Sequence, residues 1–194
     1  MSASKLQRPP DDEYYVEPWS DTFLQGDLFR DVPVAIPAPP DAVVMAEGER
    51  RFVSGPFDAG PAMLISPSCA IAAQGPSVSP GSYALPERTL VPIRPVDELV
   101  HAGAIPEHNL GNLRADRLVN YLYLPAVSDI PVSAALLYMP VTVHHDVIAH
   151  DRFAQLTGAA FWHLRVKLMA FVGGFLLDPS ELGDVPEPTS ARAS

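Results

Sequence analysis

Proline is the residue that most limits what this chain can fold into. The sequence has 22 prolines among 194 residues, about twice the usual share. Because proline lacks a backbone N–H and its ring clashes with the preceding helical turn, prolines spread along a chain exclude long helices. They recur throughout the sequence except between residues 141 and 172. The sequence therefore predicts short strands and turns, with room for a long helix only near the C-terminus.

Short apolar runs bounded by Pro, Gly and Asp predict the strands. The run AMLISPS, residues 62–68, is apolar with little alternation, which predicts a central strand buried on both faces. VVMAEGERRFVSG, residues 43–55, predicts a hairpin. Further strands are predicted within residues 27–37 (with a break at Pro33), 89–93, 120–126 and 138–150, the last at VTV and again at VIAH.

Two segments have the start and stop signals of helices. PVDELVHAG, residues 95–103, has proline in its first turn, early acids and a terminal glycine. A longer helix is predicted to begin near Thr157, a suitable N-cap, and to stop at Gly173 and Gly174. Its apolar residues, three or four apart, form one stripe: Phe161, Leu164, Leu168, Phe171 and Val172.

Many short strands followed by a terminal helix predict an α+β fold, namely a small, mostly antiparallel β-barrel with a C-terminal amphipathic helix. Residues 19–178 are expected to form this single globular domain. Residues 1–18 are polar, acidic and proline-bearing, and are expected to form a loose N-terminal tail. Residues 179–194 have the composition of a disordered C-terminal tail.

The charge, the cysteine count and the apolar runs of the sequence indicate which partners and which cellular compartment to expect. The net charge is −10 with only 13 Lys plus Arg, which disfavours nucleic-acid binding because that binding depends on cationic contacts to phosphate. Negative charge serves solubility or a protein partner, so we expect a protein partner or self-association. One cysteine forms no internal disulfide, and no apolar run approaches membrane-spanning length. These features predict a cytoplasmic protein with no membrane association and no cofactor.

The order of the segments resembles the MazF/PemK toxin fold over residues 23–174. That family opens its barrel with a Gly-Asp-aliphatic strand, matched here by QGDLF with Gly26 and Asp27. Its Arg-Pro-aliphatic-Ser strand is similar to GPAMLISPS, and its hydrophobic-Leu-Pro strand to YLYLP. A final strand, turn and helix follow, as in residues 141–172. The resemblance implies the barrel and, as an alternative function, a divergent endoribonuclease toxin.

The sequence departs from the toxins at the position that matters for RNA cleavage. The resemblance implies an arginine before the proline that stabilises charge on the phosphate, but Gly60 stands there. Ser66 or Ser68 could supply the hydroxyl that the toxins use beyond the strand. A hydroxyl does not replace a cation in the transition state, where losing one such donor costs roughly 100- to 1000-fold in rate. The resemblance therefore implies the fold, and Gly60 argues against the reaction.

Cys69 ends the same apolar run. In some PemK-like proteins a Ser-x-x-Cys-Asp sequence stands at this strand end, and SPSCA matches it up to Cys69 but has Ala70 in place of the acid. A nucleophilic cysteine needs a base or a cation beside its thiolate, and no histidine is near in sequence. We interpret Cys69 as a buried residue that closes the strand.

Histidines and acids concentrate in HHDVIAHD, residues 144–151. Imidazole and carboxylate groups in such numbers can hold a divalent metal, which makes His144, His145, Asp146 and His150 candidate ligands, with Asp151 beside them. The spacing lacks an HExxH pattern, so a polar strand edge or turn explains the cluster as well. A metal-binding protein or metal-dependent hydrolase is therefore the second alternative function.

Two further features are candidates for partner binding. In DDEYY, Asp11, Asp12 and Glu13 could steer a partner that Tyr14 and Tyr15 anchor; alternatively the tyrosines pack on the domain. Trp162 falls beside the helical stripe, and a second apolar face there would indicate a dimer or a host protein.

Complete catalytic motifs are missing from the sequence: it has no P-loop, GxGxxG, GxSxG or CxxC. Enzyme activity is left open, and the balance of features favours a non-catalytic MazF/PemK-like module for protein interaction or regulation.

Overall fold

The computed structural model describes residues 8–17, 22–35, 44–47, 50–53, 57–67 and 87–174. Nine strands lie within these ranges: β1 Leu28–Ala35, β2 Val44–Glu47, β3 Arg50–Val53, β4 Phe57–Leu64, β5 Glu87–Pro95, β6 Tyr121–Leu124, β7 Ser133–Leu136, β8 Val141–His144 and β9 Arg152–Ala154. The helices are α1 Val96–His101, α2 Leu110–Arg114, α3 His145–Ile148 and α4 Gly158–Gly173. The α+β class that the sequence predicts is confirmed.

Seven of the strands form one antiparallel sheet in the order β6-β7-β5-β4-β1-β9, with β8 also paired to β5. Strand β5 organises the sheet because its start pairs with β8 and its end pairs with β7. Strands β2 and β3 form a separate two-stranded hairpin at the position that the sequence predicts.

The predicted barrel is corrected to an open sheet. The strands β6 and β9 lie at the two ends of the sheet, and they do not pair with each other in the described part of the chain. Both backbone groups of Tyr123 in β6 are instead taken by side chains: its N–H donates to Asp116 Oδ1 at 3.0 Å and its C=O accepts from the Tyr14 hydroxyl at 3.2 Å. An edge strand whose backbone is occupied in this way has little capacity to pair with another strand.

The end of β4 is buried on both faces, as predicted: residues 62–64 are buried, although the strand ends at Leu64, short of the predicted range 62–68. In β4, Met63 belongs to the cluster under α4, whereas Ala62 and Leu64 belong to the cluster on the opposite face. Because successive side chains in a strand point to opposite faces, an unbroken apolar run serves a sheet that is covered on both sides. A third cluster fills the space between the sheet and helices α1 and α2.

Two local predictions are wrong. The VIAH segment is not a strand, because residues 145–148 form the short helix α3, capped by the His144 side chain, which accepts from the Asp146 N–H. Strand β1 does not break at Pro33, which pairs with Ala59. Its irregularity lies between Phe29 and Val32, where Asp31 has a positive φ of 48°, a conformation that aspartate tolerates better than most residues.

Residues 8–17, which we expected to be part of a loose tail, pack on the sheet. Tyr14 is fully buried, and Tyr15 forms a β-bridge with Leu156, just beyond β9. The Tyr15 hydroxyl donates to the Pro125 C=O at 3.0 Å. Tyr14 and Tyr15 therefore connect the two end strands of the sheet, and we call residues 8–17 the N-terminal strap. Two large aromatic side chains bury enough apolar surface to hold an otherwise polar segment in place.

Candidate interaction surface on helix α4

Helix α4 begins and ends as its sequence predicts. The Thr157 hydroxyl caps the N-terminus by accepting from the Ala160 N–H at 3.4 Å. Gly174 ends the helix in the left-handed conformation, with φ of 67°, which glycine adopts without the steric cost that other residues incur. These two caps position sixteen residues as one continuous helix against the sheet.

The inward side of α4 is wider than the predicted stripe. Ala160 and Leu164 are fully buried and belong to the large cluster under the helix. Phe161, Leu168 and Phe171 pack against that cluster and are partly buried. Apolar residues therefore surround most of the helix, and its amphipathic character is weak.

The outward side of α4 is also mostly apolar. Met169 is 55% exposed and Val172 is 82% exposed, although Val172 was predicted to belong to the packed stripe. Trp162 and Arg165 lie on the same side, since the intervals between the four residues are three, four and three. We call Trp162, Arg165, Met169 and Val172 the α4 face.

Arg165 shapes this face through its contacts with neighbouring rings. Its guanidinium carbon lies 5.4 Å from the Trp162 ring centroid and 5.7 Å from that of Phe161. Cation–π contacts at partly exposed sites contribute roughly 0.5–1 kcal/mol each. They keep the guanidinium of Arg165 beside the two aromatic rings, so the α4 face has one positive charge in an apolar surrounding.

Trp162 is half-buried, and its indole N–H is covered but has no acceptor among the described residues. A buried donor of this kind is uncommon in proteins. Tryptophan and arginine are also the residues most enriched among those that dominate binding energies at interfaces. The arrangement supports the prediction that Trp162 is the residue of α4 to test for partner binding.

The tyrosines of DDEYY are engaged within the chain. Tyr14 and Tyr15 contact each other edge to face at 5.3 Å, and burial raises the pKa of both hydroxyls. Asp11, Asp12 and Glu13 precede them in an exposed 3-10 turn. The structure thus places the tyrosines against the sheet, while partner steering by the three acids stays a prediction.

The histidine-rich segment is spread along β8, α3 and the turn after it. His144 Nδ1 lies 3.2 Å from Asp146 Oδ2, and His145 packs its ring 5.4 Å from that of Phe23. Burial and the positive charge of Arg88 lower the pKa of His145. Among the residues that the structure describes, no three His, Cys, Asp or Glu side chains are placed to hold a metal ion. The geometry gives His144, His145, Asp146 and His150 no shared site.

Ser66 has a structural contact at the end of β4. Its hydroxyl accepts from the Thr89 N–H at 2.8 Å and so ties β4 to β5. Gly60 lies four residues before Leu64, the last residue of β4. At the usual rise of a strand this separates the two residues by roughly 13 Å, and Ser66 lies beyond Leu64. Ser68 and Cys69 lie outside the described residues, so the hydroxyl and thiol roles considered for them stay predictions.

Sequence reasoning missed a buried polar cluster beside α4. Asp116 Oδ2 lies 2.9 Å from His163 Nε2, and the Lys167 ammonium donates to the Asp116 backbone C=O. Burial lowers the pKa of Lys167, and the Asp116 carboxylate opposes this shift. Arg8 also approaches the cluster: its Nε lies 3.7 Å from Asp116 Oδ2, and its guanidinium carbon lies 4.4 Å from the Tyr123 ring centroid. One available signal was that Lys167 follows Leu164 by three residues and so shares its buried side.

A second buried carboxylate, Asp27, is saturated by hydrogen bonds. It accepts from the Leu24 N–H, the Arg152 guanidinium and the Gln155 amide, each at 2.9 Å. Burial raises its pKa, and these hydrogen bonds oppose that shift. Arg152 lies in β9 and Gln155 directly follows that strand. Asp27 therefore connects the start of β1 to β9 and to the residue after it.

No protein-family model matches the chain, and no curated protein matches its sequence. Within the described ranges, none of the helices has both the length and the apolar composition needed to cross a membrane.

Proposed function

We propose that this protein is a non-catalytic interaction module that binds a partner protein through the α4 face. The observation that carries the proposal is the exposure of Met169 and Val172 on the same side as Trp162 and Arg165. Large apolar side chains grouped on one exposed surface are typical of interaction sites. The described polar clusters, by contrast, are engaged in holding elements of the fold together.

The spacing of the α4 face favours a helical partner. Residues 162, 165, 169 and 172 follow the alternating intervals of the a and d positions of a coiled coil. A partner helix that places apolar residues at matching intervals would bury Met169 and Val172. An acidic residue opposite Arg165 would pair with the one charge of the face. The net charge of −10 disfavours a second copy of this chain as that partner, because like charges repel.

We further propose that the chain is distantly related to the MazF/PemK toxins. The antiparallel pairing, the Gly26-Asp27 turn before the first strand and the terminal helix support a distant MazF/PemK-like relationship. The open sheet departs from the barrel of that family, and Gly60 replaces the arginine used by the toxins. A cytoplasmic location fits the single cysteine.

The test is a tagged capture from native cells with nuclease present, comparing the wild-type chain with the double variant Met169→Glu and Val172→Glu. Both positions are exposed, so the variant should fold, and two carboxylates should weaken capture of the partner at least tenfold, as burial of unpaired charge is costly. Val147→Glu is the matched control, since Val147 is 44% exposed on α3, away from the α4 face.

Equal capture by the double variant and the control would contradict the proposal. RNA that co-purifies without nuclease and disappears with it would favour the divergent ribonuclease instead. A dimer of this chain that Met169→Glu and Val172→Glu dissolve would replace the partner protein by a second copy.

A further inference from the structure

A cavity lies on the face of the sheet opposite α4. In β5, Val91 and Ile93 belong to the cluster under α4, so Pro92 between them points to the other face. There, helix α1 stands over the sheet and leaves a cavity of about 260 Å³. Its base consists of four buried apolar residues from three strands and the helix: Val34, Pro92, Leu136 and Leu99.

Gly60 in β4 helps to keep this face open. Strand β4 lies between β1 and β5, and its Ala62 pairs with Pro92, so Ala62 and Gly60 both point to the face that has the cavity. Among the described residues, the only atom within 4 Å of a Cβ built at Gly60 is Arg94 Nη1, at 3.7 Å. A long side chain at position 60 would extend over this face, and the glycine leaves that space unfilled.

The charged residues of the lining are not available to a ligand. Arg94 already interacts within the chain, and Glu98 is exposed to solvent. The rest of the wall is apolar, with the partly buried Met139 on one side and the exposed Ala102 at the mouth. A charged ligand would lose its hydration in such a cavity without gaining a partner, which is costly. The lining therefore favours an uncharged, apolar ligand.

The volume of the cavity sets the size of that ligand. A protein cavity of about 150 Å³ lined by apolar side chains holds one benzene molecule. In the same proportion, the present cavity of about 260 Å³ has room for about ten non-hydrogen atoms, the size of two fused aromatic rings. It is too small for a helix, whose diameter with side chains is about 10 Å. Met139 favours an aromatic ligand, because a thioether sulfur makes favourable contacts with aromatic rings.

From the volume and the apolar lining, we infer that the cavity between β5 and α1 binds an uncharged aromatic molecule of two fused rings. Its rings lie against Val34, Pro92 and Leu136 of the sheet, with Leu99 of α1 above them and Met139 at the side. This site is on the face of the sheet opposite α4. It is separate from the α4 face and goes beyond the proposed protein interaction.

The inference is tested by NMR on the full chain with isotope-labelled methionine methyl groups, titrated with quinaldine in mildly alkaline solution, where this methylated quinoline is uncharged. The chain has five methionines, so the signals are few, and Met139→Leu identifies that of Met139. This signal should shift saturably, with a Kd of about 1 mM or lower. The signal of Met169, on the α4 face, is the internal control and should not move.

N-methylquinolinium is the matched control ligand, because it has the same number of non-hydrogen atoms as quinaldine but a permanent positive charge in its ring system. It should bind at least tenfold more weakly, since nothing in the apolar base replaces its lost hydration. Equal binding of the two compounds would overturn the inference of an uncharged ligand.

A variant at the mouth locates the site. Ala102→Leu should narrow the cavity and weaken quinaldine binding at least tenfold. Ala115→Leu is the matched control, because Ala115 is likewise an exposed alanine at the C-terminal cap of a short helix, α2, and lies outside the described lining. This control should bind quinaldine as the wild type does. Thermal melts confirm that both variants are folded.

A Met139 signal that does not move up to millimolar quinaldine overturns the inference. Equal shifts of the Met139 and Met169 signals, or equal binding by Ala102→Leu and Ala115→Leu, also overturn it, because the compound then lies elsewhere. The double variant Met169→Glu and Val172→Glu should leave quinaldine binding unchanged, so failure of this site and failure of the proposed protein interaction are told apart.

Discussion

At the scale of single residues, Asp116 connects more elements than any motif in the sequence suggested. Its carboxylate accepts from the Tyr123 N–H at the edge of β6 and meets His163 of α4. Its backbone has a positive φ of 52°, and its C=O accepts from Lys167. A single aspartate thus holds an edge strand and a helix together, and its removal leaves buried polar groups without partners.

We expect Asp116→Ala to lower the free energy of unfolding by about 3 kcal/mol, because the buried Tyr123 N–H and His163 lose their acceptor and Lys167 loses the nearby negative charge. Asp116→Asn keeps an acceptor for Tyr123 and tolerates the positive φ, so it should cost only about 1 kcal/mol. Urea unfolding of the two variants measures this order. Equal losses for both would show that the acceptor for Tyr123 and the tolerance of positive φ, which asparagine keeps, contribute little, and that the negative charge of Asp116 accounts for the loss.

His145 is expected to make stability fall in mildly acidic solution. Its pKa in the folded chain is lowered below 6.5 by burial and by the positive charge of Arg88. As the pH falls below 6.5, the unfolded chain takes up a proton that the folded chain resists, so the free energy of unfolding decreases. The loss continues until the pH passes below the folded pKa.

The variant His145→Asn should therefore lose less stability than the wild type between neutral and mildly acidic pH, as followed by urea unfolding. His144→Asn is the matched control, because the imidazole of His144 neighbours that of His145 in the sequence but is more than half exposed. A pH dependence in His145→Asn as steep as that of the wild type would assign the effect to other groups.

At the scale of elements, the turn before β1 requires a glycine. Gly26 has φ of 97°, and its N–H donates to the Leu64 C=O at 2.7 Å. A Cβ there would lie 2.6 Å from Leu156 Cδ1, inside the cluster under α4. The turn thus brings the start of β1 so close to the core that backbone conformation and space both disfavour a side chain at position 26.

We expect Gly26→Ala to destabilise the chain by about 2 kcal/mol, through the left-handed backbone and the crowded core. Gly60→Ala provides the comparison, since its Cβ meets only Arg94 Nη1 at 3.7 Å and its φ is not positive. That variant should change stability by less than about 0.5 kcal/mol. Thermal melts measure both, and equal melting temperatures would contradict the role assigned to Gly26.

At the scale of the whole molecule, the N-terminal strap takes the place of the strand pairing that would close a barrel. Val16 N–H donates to Gln155 C=O at 2.9 Å, and Thr157 N–H donates to Tyr14 C=O at 3.1 Å. On its other side, the Tyr14 hydroxyl meets β6. The strap therefore contributes to the core and covers one sheet edge.

Deletion of residues 1–17 should lower the melting temperature by more than about 10 °C. Loss of one large buried aromatic side chain costs about 3–5 kcal/mol, and each kcal/mol is worth about 2–4 °C in a chain of this length. Deletion of residues 1–7 is the control, because it keeps Arg8 and every strap contact described above. A shortened chain that melts as the full chain does would show that the strap is dispensable.

Local patterns in the sequence were sufficient to predict several elements of the fold. The continuous apolar run predicted a strand buried on both faces, turn residues predicted the β2–β3 hairpin, and Thr157 and Gly174 predicted the ends of α4. Each of these depends on residues within a few positions of one another. Within the candidate surface, the same reasoning singled out Trp162 but placed Val172 in the core.

The remaining features depend on contacts between residues far apart in the chain. The Tyr14 hydroxyl bonds to a residue 109 positions away, and Asp27 to Gln155 at 128 positions. Composition made the strap look like a tail, and no local pattern indicated that Asp27, Asp116 and Lys167 are buried. Whether such groups are buried depends on which partners the sheet brings to them, because a buried charge is stable only where donors and acceptors meet it. The open sheet edge and the exposed side of α4 follow from the same long-range contacts.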